Sequence, residues 1–180
     1  MMNKDGSADT RNVIDEFKGV ERDEIIARLD AQDNGLVIAL ENIEREFSAG
    51  TIVRSANAFG VRHVYIIGKR QWNKRGAMVT DKYLHIHHYV ELADFITEMK
   101  AQGRKIVAID NVQGSQPMSQ VSLPKEVVLV FGHEGNGLSE SLLAEADMIV
   151  AIEQFGSTRS INVGSAATVA MYCWLQQHVL

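Results

Sequence analysis

A glycine-rich loop directly after an apolar segment constrains the fold of this chain more than any other feature of its sequence. Residues 127–131 read VVLVF, and Gly132, Gly135 and Gly137 follow within six residues. A buried strand that ends in such a loop lets the backbone approach a ligand closely. The order Gly-x-x-Gly-x-Gly differs from the dinucleotide fingerprint, and the Gly-Lys-Ser/Thr of a phosphate-binding P-loop does not follow. The loop therefore predicts a binding site for a ligand other than a phosphate.

Apolar segments that suit buried strands alternate with segments of helical periodicity along the chain. The predicted strands span residues 35–40, 63–68, 105–110, 126–132 and 147–152, with a further short strand at 85–90. The predicted helices span residues 10–31, 49–59, 91–102 and the chain from residue 163 onward. This alternation predicts an α/β fold with a mostly parallel sheet and helices on both of its faces.

Capping residues mark the ends of three predicted helices. Gly103 follows the helix at 91–102, where a left-handed C-cap is expected. Ser139 and Asn162 stand at the N-cap positions of a short helix and of the last helix. The last helix begins with small residues at 164–167, which predict close packing against other backbone or against a ligand.

Composition restricts the classes of protein to which the chain can belong. With 180 residues, 46% of them hydrophobic, and two prolines, the chain suits one compact α/β domain. No apolar run approaches the roughly 20 residues of a membrane span, and the polar N-terminus lacks the apolar region of a signal peptide. The single Cys173 excludes an internal disulfide and favours a reducing compartment. We therefore expect a cytoplasmic protein that does not enter a membrane.

The charge of the chain is distributed unevenly, although the net charge is −5. Residues 51–90 hold seven Lys and Arg against Asp81 alone, which gives this segment a net charge of +6. Such asymmetry, with Trp72 and Tyr83 interleaved, predicts a surface that binds a polyanion such as RNA. An ordinary solvated basic face remains the alternative at this point. The predicted RNA-binding residues are Arg62, Lys69, Arg70, Lys74 and Arg75.

Three segments stand together in an informative order: SAGTIVRSANAFGV at 48–61, LVFGHEGNGLSE at 129–140 and IEQFGSTRSINVGSAATVA at 152–170. In this order and spacing they resemble the three motifs of the SpoU/TrmH family of SPOUT-class RNA methyltransferases. The resemblance implies a methyltransferase domain over residues 35–180, preceded by a helical extension at 1–34. It also implies a C-terminal trefoil knot, an exception to the rule that folds are not knotted.

The resemblance implies a reaction and a set of site residues. The reaction is methyl transfer from S-adenosylmethionine to a ribose 2′-hydroxyl of tRNA or rRNA, and the enzyme is a homodimer paired through the knot region and the C-terminal helix. The residues implied in cofactor binding are Gly132, Ile152, Ile161 and Asn111. The residues implied in catalysis are Arg54, Glu134, Ser160 and Asn162.

The chemistry of a guanidinium limits what Arg54 can do in this reaction. Because its pKa lies above about 12, an arginine is a poor general base at neutral pH. We therefore predict that Arg54 clamps an RNA phosphate and stabilises the oxyanion that develops on the ribose. Ser160 and Asn162 would position the hydroxyl or Arg54, and helix capping is their simpler alternative role.

Two positions depart from the pattern of the family. Ser48 stands where an Asn is frequent, six positions before Arg54, and Glu153-Gln154 stands where a Pro commonly follows the position of Ile152.

The alternatives to an RNA methyltransferase are a catalytically inactive RNA-binding protein of the same fold and a Rossmann-type dehydrogenase. The missing Gly-x-Gly-x-x-Gly argues against the dehydrogenase. His85 and His87 share a strand face, but the sequence offers no evident third metal ligand, so no metal site is predicted.

Overall fold

The computed structural model describes residues 9–42, 47–68, 74–133 and 135–180. The helices are α1 Arg22–Asp30, α2 Phe47–Ala58, α3 Leu92–Ala101, α4 Glu140–Glu145 and α5 Val163–His178. The strands are β1 Val37–Glu41, β2 His63–Ile67, β3 His85–Tyr89, β4 Lys105–Ile109, β5 Gln116–Pro117, β6 Val127–Phe131 and β7 Met148–Ala151. Every predicted strand is present, and the two-residue β5 was not predicted.

The strands form one sheet in the order β3-β2-β1-β6-β4-β7-β5, and all of the described strand pairs are parallel. Strand β6, which ends at the glycine loop, lies between β1 and β4. Parallel strands point their carboxyl ends to the same edge, so the loops after β1, β4 and β6 meet there. The predicted α/β fold with a mostly parallel sheet is confirmed.

Helices cover both faces of the sheet, as predicted. Ile38 and Leu40 of β1 pack in one core with residues of α2 and α5, including the fully buried Trp174. Val37 and Ala39 of the same strand pack in a second core with residues of α3 and α4. Because side chains alternate along a strand, a sheet buried on both faces needs apolar residues at successive positions, as these strands have.

The N-terminal segment differs from the prediction of one helix over residues 10–31. A 3-10 turn at Asp15–Phe17 is separated from α1 by Gly19, whose φ of 76° lies in the left-handed region. A left-handed residue cannot continue a right-handed helix, so the predicted continuous helix is wrong. The segment packs on the rest of the chain through a small core of three buried residues, Phe17, Ile25 and Tyr83.

The predicted caps are confirmed. Gly103 has a φ of 68° directly after α3 and its C-cap residue, and Ser139 Oγ accepts a hydrogen bond from the backbone N–H of Leu142 at 3.2 Å. Both features depend on residues close in sequence, which is why the sequence predicts them. No helix among the described residues has the length and apolarity that a membrane crossing needs.

Candidate active site

A pocket of about 420 Å³ lies at the edge where β4, β6 and β7 end. Its walls are the loops that follow these three strands and the first turn of α5. Carboxyl ends of parallel strands are the usual place for a ligand in an open α/β sheet. The lining residues are Ile109–Val112, Gly132, His133, Gly135–Leu138, Ala151, Ile152, Gln154, Arg159–Ile161, Val163 and Ala166.

The glycine loop folds back on itself at this edge. The backbone N–H of His133 donates to the carbonyl of Gly137 at 3.2 Å, and the N–H of Gly137 donates to the carbonyl of His133 at 2.8 Å. A Cβ on Gly132 would lie 2.4 Å from the carbonyl carbon of Gly137, closer than real Cβ contacts allow. Glycine is therefore required at position 132 for the loop to close.

Asp110, directly after β4, holds the loop from one side. Its Oδ2 accepts a hydrogen bond from the N–H of Leu138 at 2.8 Å, and its Oδ1 accepts from the N–H of Asn111 at 2.8 Å. Asn111 in turn donates through Nδ2 to the carbonyl of Arg159 at 3.4 Å, which links two walls of the pocket. Sequence reasoning missed Asp110, although its place after a buried strand was a signal that could have found it.

Glu41, the last residue of β1, holds the loop from the other side. Its carboxylate accepts hydrogen bonds from the N–H of Ser139 at 2.8 Å and from the Ser139 hydroxyl at 2.6 Å. Glu41 is buried, so these bonds replace the water that the carboxylate loses on folding. Local sequence pattern does not indicate this contact, because it joins residues that are 98 positions apart.

Asn162 both caps α5 and binds α2. Its Oδ1 accepts from the N–H groups of Gly164 at 2.9 Å and Ser165 at 3.2 Å, and its Nδ2 donates to Ser48 Oγ at 3.0 Å. The capping role is confirmed, while the catalytic role stays a prediction. Ser48, which replaces a frequent Asn, still provides a hydrogen-bonding partner at this position.

Arg54 lies on α2 and is exposed. Helix α2 packs against the start of α5, since Ser55 Oγ and Thr168 Oγ1 are 2.9 Å apart and a Cβ on Gly164 would lie 3.3 Å from the Thr51 side chain. At 3.6 residues per turn, Arg54 falls beside the face of α2 that carries Thr51 and Ser55. Arg54 is thus on the side of α2 next to the start of α5, and it is not among the residues that line the pocket.

The structure brings most of the predicted site residues together. Five of them line the pocket: Asn111, Gly132, Ile152, Ser160 and Ile161. Asn162 lies next to this lining, between Ile161 and Val163. Glu134 falls outside the described residues. The roles assigned to the individual residues stay predictions.

The two residues that replace the usual proline have different environments. Glu153 accepts hydrogen bonds from the N–H and the hydroxyl of Ser119, and these bonds lower the pKa of its carboxyl. Gln154 lines the pocket, and its Oε1 is buried without a hydrogen-bond partner among the described residues. Because an unpaired buried acceptor is unfavourable, a donor group of a bound ligand would stabilise it. The walls therefore suit a ligand with polar hydrogens.

The predicted RNA-binding surface needs a correction at Arg62. This residue is 1% exposed, its Nε donates to Asp30 Oδ1 at 2.8 Å, and its Nη2 donates to the carbonyl of Tyr83 at 2.7 Å. A buried, paired guanidinium cannot contact a phosphate, so the prediction for Arg62 is wrong. Lys74 and Arg75 are exposed, whereas Lys69 and Arg70 fall outside the described residues.

Three histidines of β2 and β3, His63, His85 and His87, form a row of rings. His63 stacks on His85 and on His87, with ring centroids 5.0 and 5.3 Å apart, and His85 also contacts the Asp30 carboxylate. Burial is the main cause that lowers the pKa of His63, and the neighbouring imidazoles of His87 and His85 lower it further. Burial likewise lowers the pKa of His87, and His85 adds to this effect. Across the part of the chain that the structure describes, no group of three candidate ligands is arranged to hold a metal.

Curated relatives of this chain carry names that describe RNA methylation. The tRNA (guanosine(18)-2'-O)-methyltransferase of Borreliella burgdorferi is 27% identical over 152 residues, which are 83% of this chain and 70% of the relative. The enzyme of the same name from Escherichia coli is 23% identical over 140 residues, which are 76% of this chain. The chain spans 61% of the length of this second relative.

Solved structures share the fold. The A. aeolicus TrmH/SpoU tRNA modifying enzyme superposes with a TM-score of 0.76 at 26% identity, covering 87% of this chain and 83% of the other. An AdoMet-bound rRNA methyltransferase from Sinorhizobium meliloti superposes with a TM-score of 0.74 at 27% identity, covering 83% of this chain and 58% of the other. The predicted cofactor is thus the ligand named for one of these structures.

The SpoU rRNA Methylase family matches residues 35–172, which are most of the chain. The matched range contains the glycine loop, the lining of the pocket and the start of α5. The resemblance based on the three motifs is therefore confirmed. The chain belongs to the SpoU rRNA Methylase family.

Proposed function

We propose that this protein transfers the methyl group of S-adenosylmethionine to a ribose 2′-hydroxyl of RNA, with tRNA as the favoured substrate class. The pocket carries the proposal, because the four residues assigned to the cofactor from the motifs all line it: Gly132, Asn111, Ile152 and Ile161. Family membership supports methylation of RNA. The names of the Borreliella and Escherichia relatives support tRNA over rRNA.

The dimensions and the polarity of the pocket suit the cofactor. About 420 Å³ is within the range of roughly 300–1,000 Å³ that small-ligand pockets occupy. Bound adenosylmethionine supplies an electrophilic methyl group on a cationic sulfonium. The backbone of the glycine loop and the apolar side chains of Ile152 and Ile161 would hold the nucleoside of the cofactor. The side-chain Oε1 of Gln154 would accept a hydrogen bond from the cofactor. The Asp110 carboxylate favours a cation over a phosphate at this edge.

Arg54 acts on the RNA from beside the pocket. Its exposed position next to the start of α5 leaves the guanidinium accessible to a phosphate that approaches along α2. There it binds the phosphate and stabilises negative charge on the ribose oxygen as the proton leaves. Orientation of the hydroxyl against the methyl group contributes up to about 7–11 kcal/mol in favourable cases. Ser160 lines the pocket and positions the hydroxyl.

The N-cap of α5 connects the two halves of this site. Asn162 caps the first turn of α5, whose residues Val163 and Ala166 line the pocket. It also donates a hydrogen bond to Ser48 near the start of α2, the helix that carries Arg54. A shift of α2 against α5 would therefore move Arg54 relative to the cofactor. We infer that Asn162 is a positioning residue for Arg54.

The protein acts as a homodimer in the cytoplasm, with α5 in the subunit contact and with a trefoil knot at the pocket. Exposed apolar side chains on α5 and in the loop before it support the dimer, because a second copy would remove them from water: Val169, Tyr172 and Phe155. RNA then crosses the basic segment that includes Lys74 and Arg75. The single Cys173 suits a reducing compartment.

Transfer of a labelled methyl group to RNA tests the proposal. The protein is incubated with methyl-tritiated adenosylmethionine and with unmodified tRNA or rRNA transcripts, and the RNA is then hydrolysed in alkali. A 2′-O-methyl group blocks the attack of the 2′-oxygen on the neighbouring phosphate, so label in alkali-resistant dinucleotides is the expected result. Binding of both RNA classes without cofactor binding or transfer would instead identify a catalytically inactive RNA-binding protein.

A further inference from the structure

Met78 and Val79 form an exposed apolar tip with an unusual backbone. Their φ angles are 48° and 67°, in the left-handed region, and their exposed fractions are 52% and 56%. Left-handed backbone is unfavourable for residues other than glycine, and most of all for β-branched residues such as valine. Two such residues in succession, with their side chains in water, are not explained by the packing of the core. Backbone strain of this kind often accompanies a functional contact.

The tip is held in place on both sides. On one side the chain crosses α2 at Gly50, where a Cβ would lie 2.6 Å from the N of Ala77 and 2.7 Å from the N of Gly76. On the other side Thr80 Oγ1 donates to the carbonyl of Ala77 at 2.6 Å. These contacts fix the backbone directly before and after the tip, so its conformation is determined by the fold and not by its own residues.

The place where the chain crosses α2 is close to Arg54. Gly50 and Arg54 are separated by one helical turn, so they share a side of α2 and their Cβ positions are about 5–6 Å apart. Arg54 falls between that side and the side that carries Thr51, which contacts the start of α5. Met78 follows Ala77 directly in the chain. Arg54 therefore lies on α2 between the crossing that leads to the apolar tip and the contact with the start of α5, which lines the pocket.

Cationic residues flank the tip in the chain. Lys74, Arg75 and Lys82 are exposed on the same short segment, and Lys74 forms an ion pair with Asp81 at 3.1 Å. Phosphates would approach these cations, whereas an apolar tip has no favourable contact with a phosphate. The faces of unstacked bases are the apolar part of an RNA, and aliphatic side chains can insert between bases. The combination of a cationic rim and an apolar tip matches RNA with an unstacked base.

We propose that Met78 and Val79 are a wedge that packs on a base of the RNA next to the nucleotide that is methylated. The wedge separates this base from its neighbour, and the ribose between them is presented to Arg54 and to the pocket. This inference rests on the proposed function, because it assigns to the tip a part in binding the same substrate. Met78 and Val79 are positioning residues and do not touch the reacting atoms.

Substitution of Val79 by glycine tests the wedge without disturbing the fold. Glycine adopts a left-handed backbone without strain, so V79G keeps the loop and removes the side chain. A double variant, M78S/V79G, removes the whole apolar tip. The matched control is Val90→Ser, which removes an apolar side chain that is 67% exposed at a different place, after β3. Thermal unfolding and sedimentation of each variant check the fold and the oligomeric state.

Three measurements on the same variants separate the possible roles of the tip. We expect M78S/V79G to bind S-adenosylhomocysteine as the wild type does, within about twofold. We expect the loss of apolar packing against the base to lower kcat/KM for methylation of a tRNA transcript by about tenfold or more. The slope of log Kd for this RNA against log salt should not change, because the phosphate contacts remain. The control V90S should behave as wild type in all three.

The other outcomes overturn the inference in distinguishable ways. A kcat/KM within twofold of wild type for M78S/V79G would show that the tip does not contact the RNA productively. Dissociation of the protein into smaller species would show that the tip is a contact between subunits. A change of the salt slope alone would assign the effect to the cations and not to the wedge. If the wild type binds no adenosylhomocysteine and methylates no RNA, the proposed function itself fails.

Discussion

Replacement of Gly132 by alanine is the most direct test of the pocket, because the structure specifies what the added methyl group would meet. Its Cβ would lie 2.4 and 2.5 Å from the carbonyl carbon and oxygen of Gly137 and 2.5 Å from the N of Leu138. All three are backbone atoms, which cannot rotate away as the end of a flexible side chain can. The loop must therefore open by about 1 Å to reach ordinary van der Waals separation.

The free energy of this opening can be worked out from the bonds that it breaks. Two backbone hydrogen bonds close the loop between His133 and Gly137, and each contributes about 0.5–1.5 kcal/mol. Overpacking typically costs a further 1–3 kcal/mol or so when the structure can partly relax. We expect G132A to lower the free energy of unfolding by about 2–6 kcal/mol, which for a chain of this size is about 4–24 °C in Tm.

Calorimetric titration with S-adenosylhomocysteine and thermal unfolding together form the assay. Displacement of the loop by about 1 Å should weaken binding of the ligand about tenfold or more, because the loop forms one wall of the pocket and a loss of about 1.4 kcal/mol of contact energy is tenfold in affinity. The matched control is Gly156→Ala, because a Cβ at position 156 meets nothing within 4 Å and its backbone is not left-handed. We expect G156A to bind as the wild type does.

A G132A variant with wild-type affinity and a Tm within about 1 °C of the wild type would contradict this prediction. In that case the loop would tolerate a methyl group that the structure has no room for. Equal weakening in G132A and G156A would also contradict it, because the effect would then arise from loss of glycine in general and not from the contact with Gly137.

Three further predictions concern the residues around the pocket and the histidine row. Arg54→Lys should keep RNA affinity within about tenfold and lower kcat for methyl transfer about a hundredfold, because lysine retains the charge but not the planar guanidinium fork. Near-normal turnover of this variant would exclude the role assigned to Arg54. Asn162→Ser should keep the N-cap but lose the hydrogen bond to Ser48, whereas Asn162→Ala should lose both and cost about 0.5–2 kcal/mol more in thermal unfolding. Since the pKa values of His63 and His87 are lowered on folding, the unfolded chain binds protons more readily below about pH 6.5. Stability should therefore fall as the pH decreases from 6.5 through the folded pKa values, and His63→Phe should reduce this fall in a pH series of unfolding curves.

The features that the sequence predicted are those that depend on local pattern. The strands follow from short apolar runs, and the caps at Gly103, Ser139 and Asn162 follow from residues within a few positions of each helix end. The residues on the pocket walls came from the motif resemblance, which combines three separated segments. A feature that depends only on residues close together in the chain can therefore be predicted from the sequence.

The features that the sequence missed depend on partners that are distant in the chain. Arg62 belongs to a run of cations, but its guanidinium is buried against Asp30, 32 residues earlier, and the Tyr83 carbonyl. A count of charges cannot show which of them the fold removes from water. The predicted helix over 10–31 failed for a different reason: the apolar spacing continues through Gly19, whose conformation interrupts it.

The position of β6 between β1 and β4 explains how the end of the glycine loop is held in place. Each flanking strand ends in a carboxylate, Glu41 on β1 and Asp110 after β4, and these accept hydrogen bonds from the consecutive N–H groups of Ser139 and Leu138. The exit of the loop is thus fixed by two strands that are separate in sequence. These carboxylates also make the end of the loop unsuitable for a phosphate, because the N–H groups that would bind an anion are already taken and negative charge is already present. The sheet order that places the loop therefore also favours a cationic ligand over an anionic one.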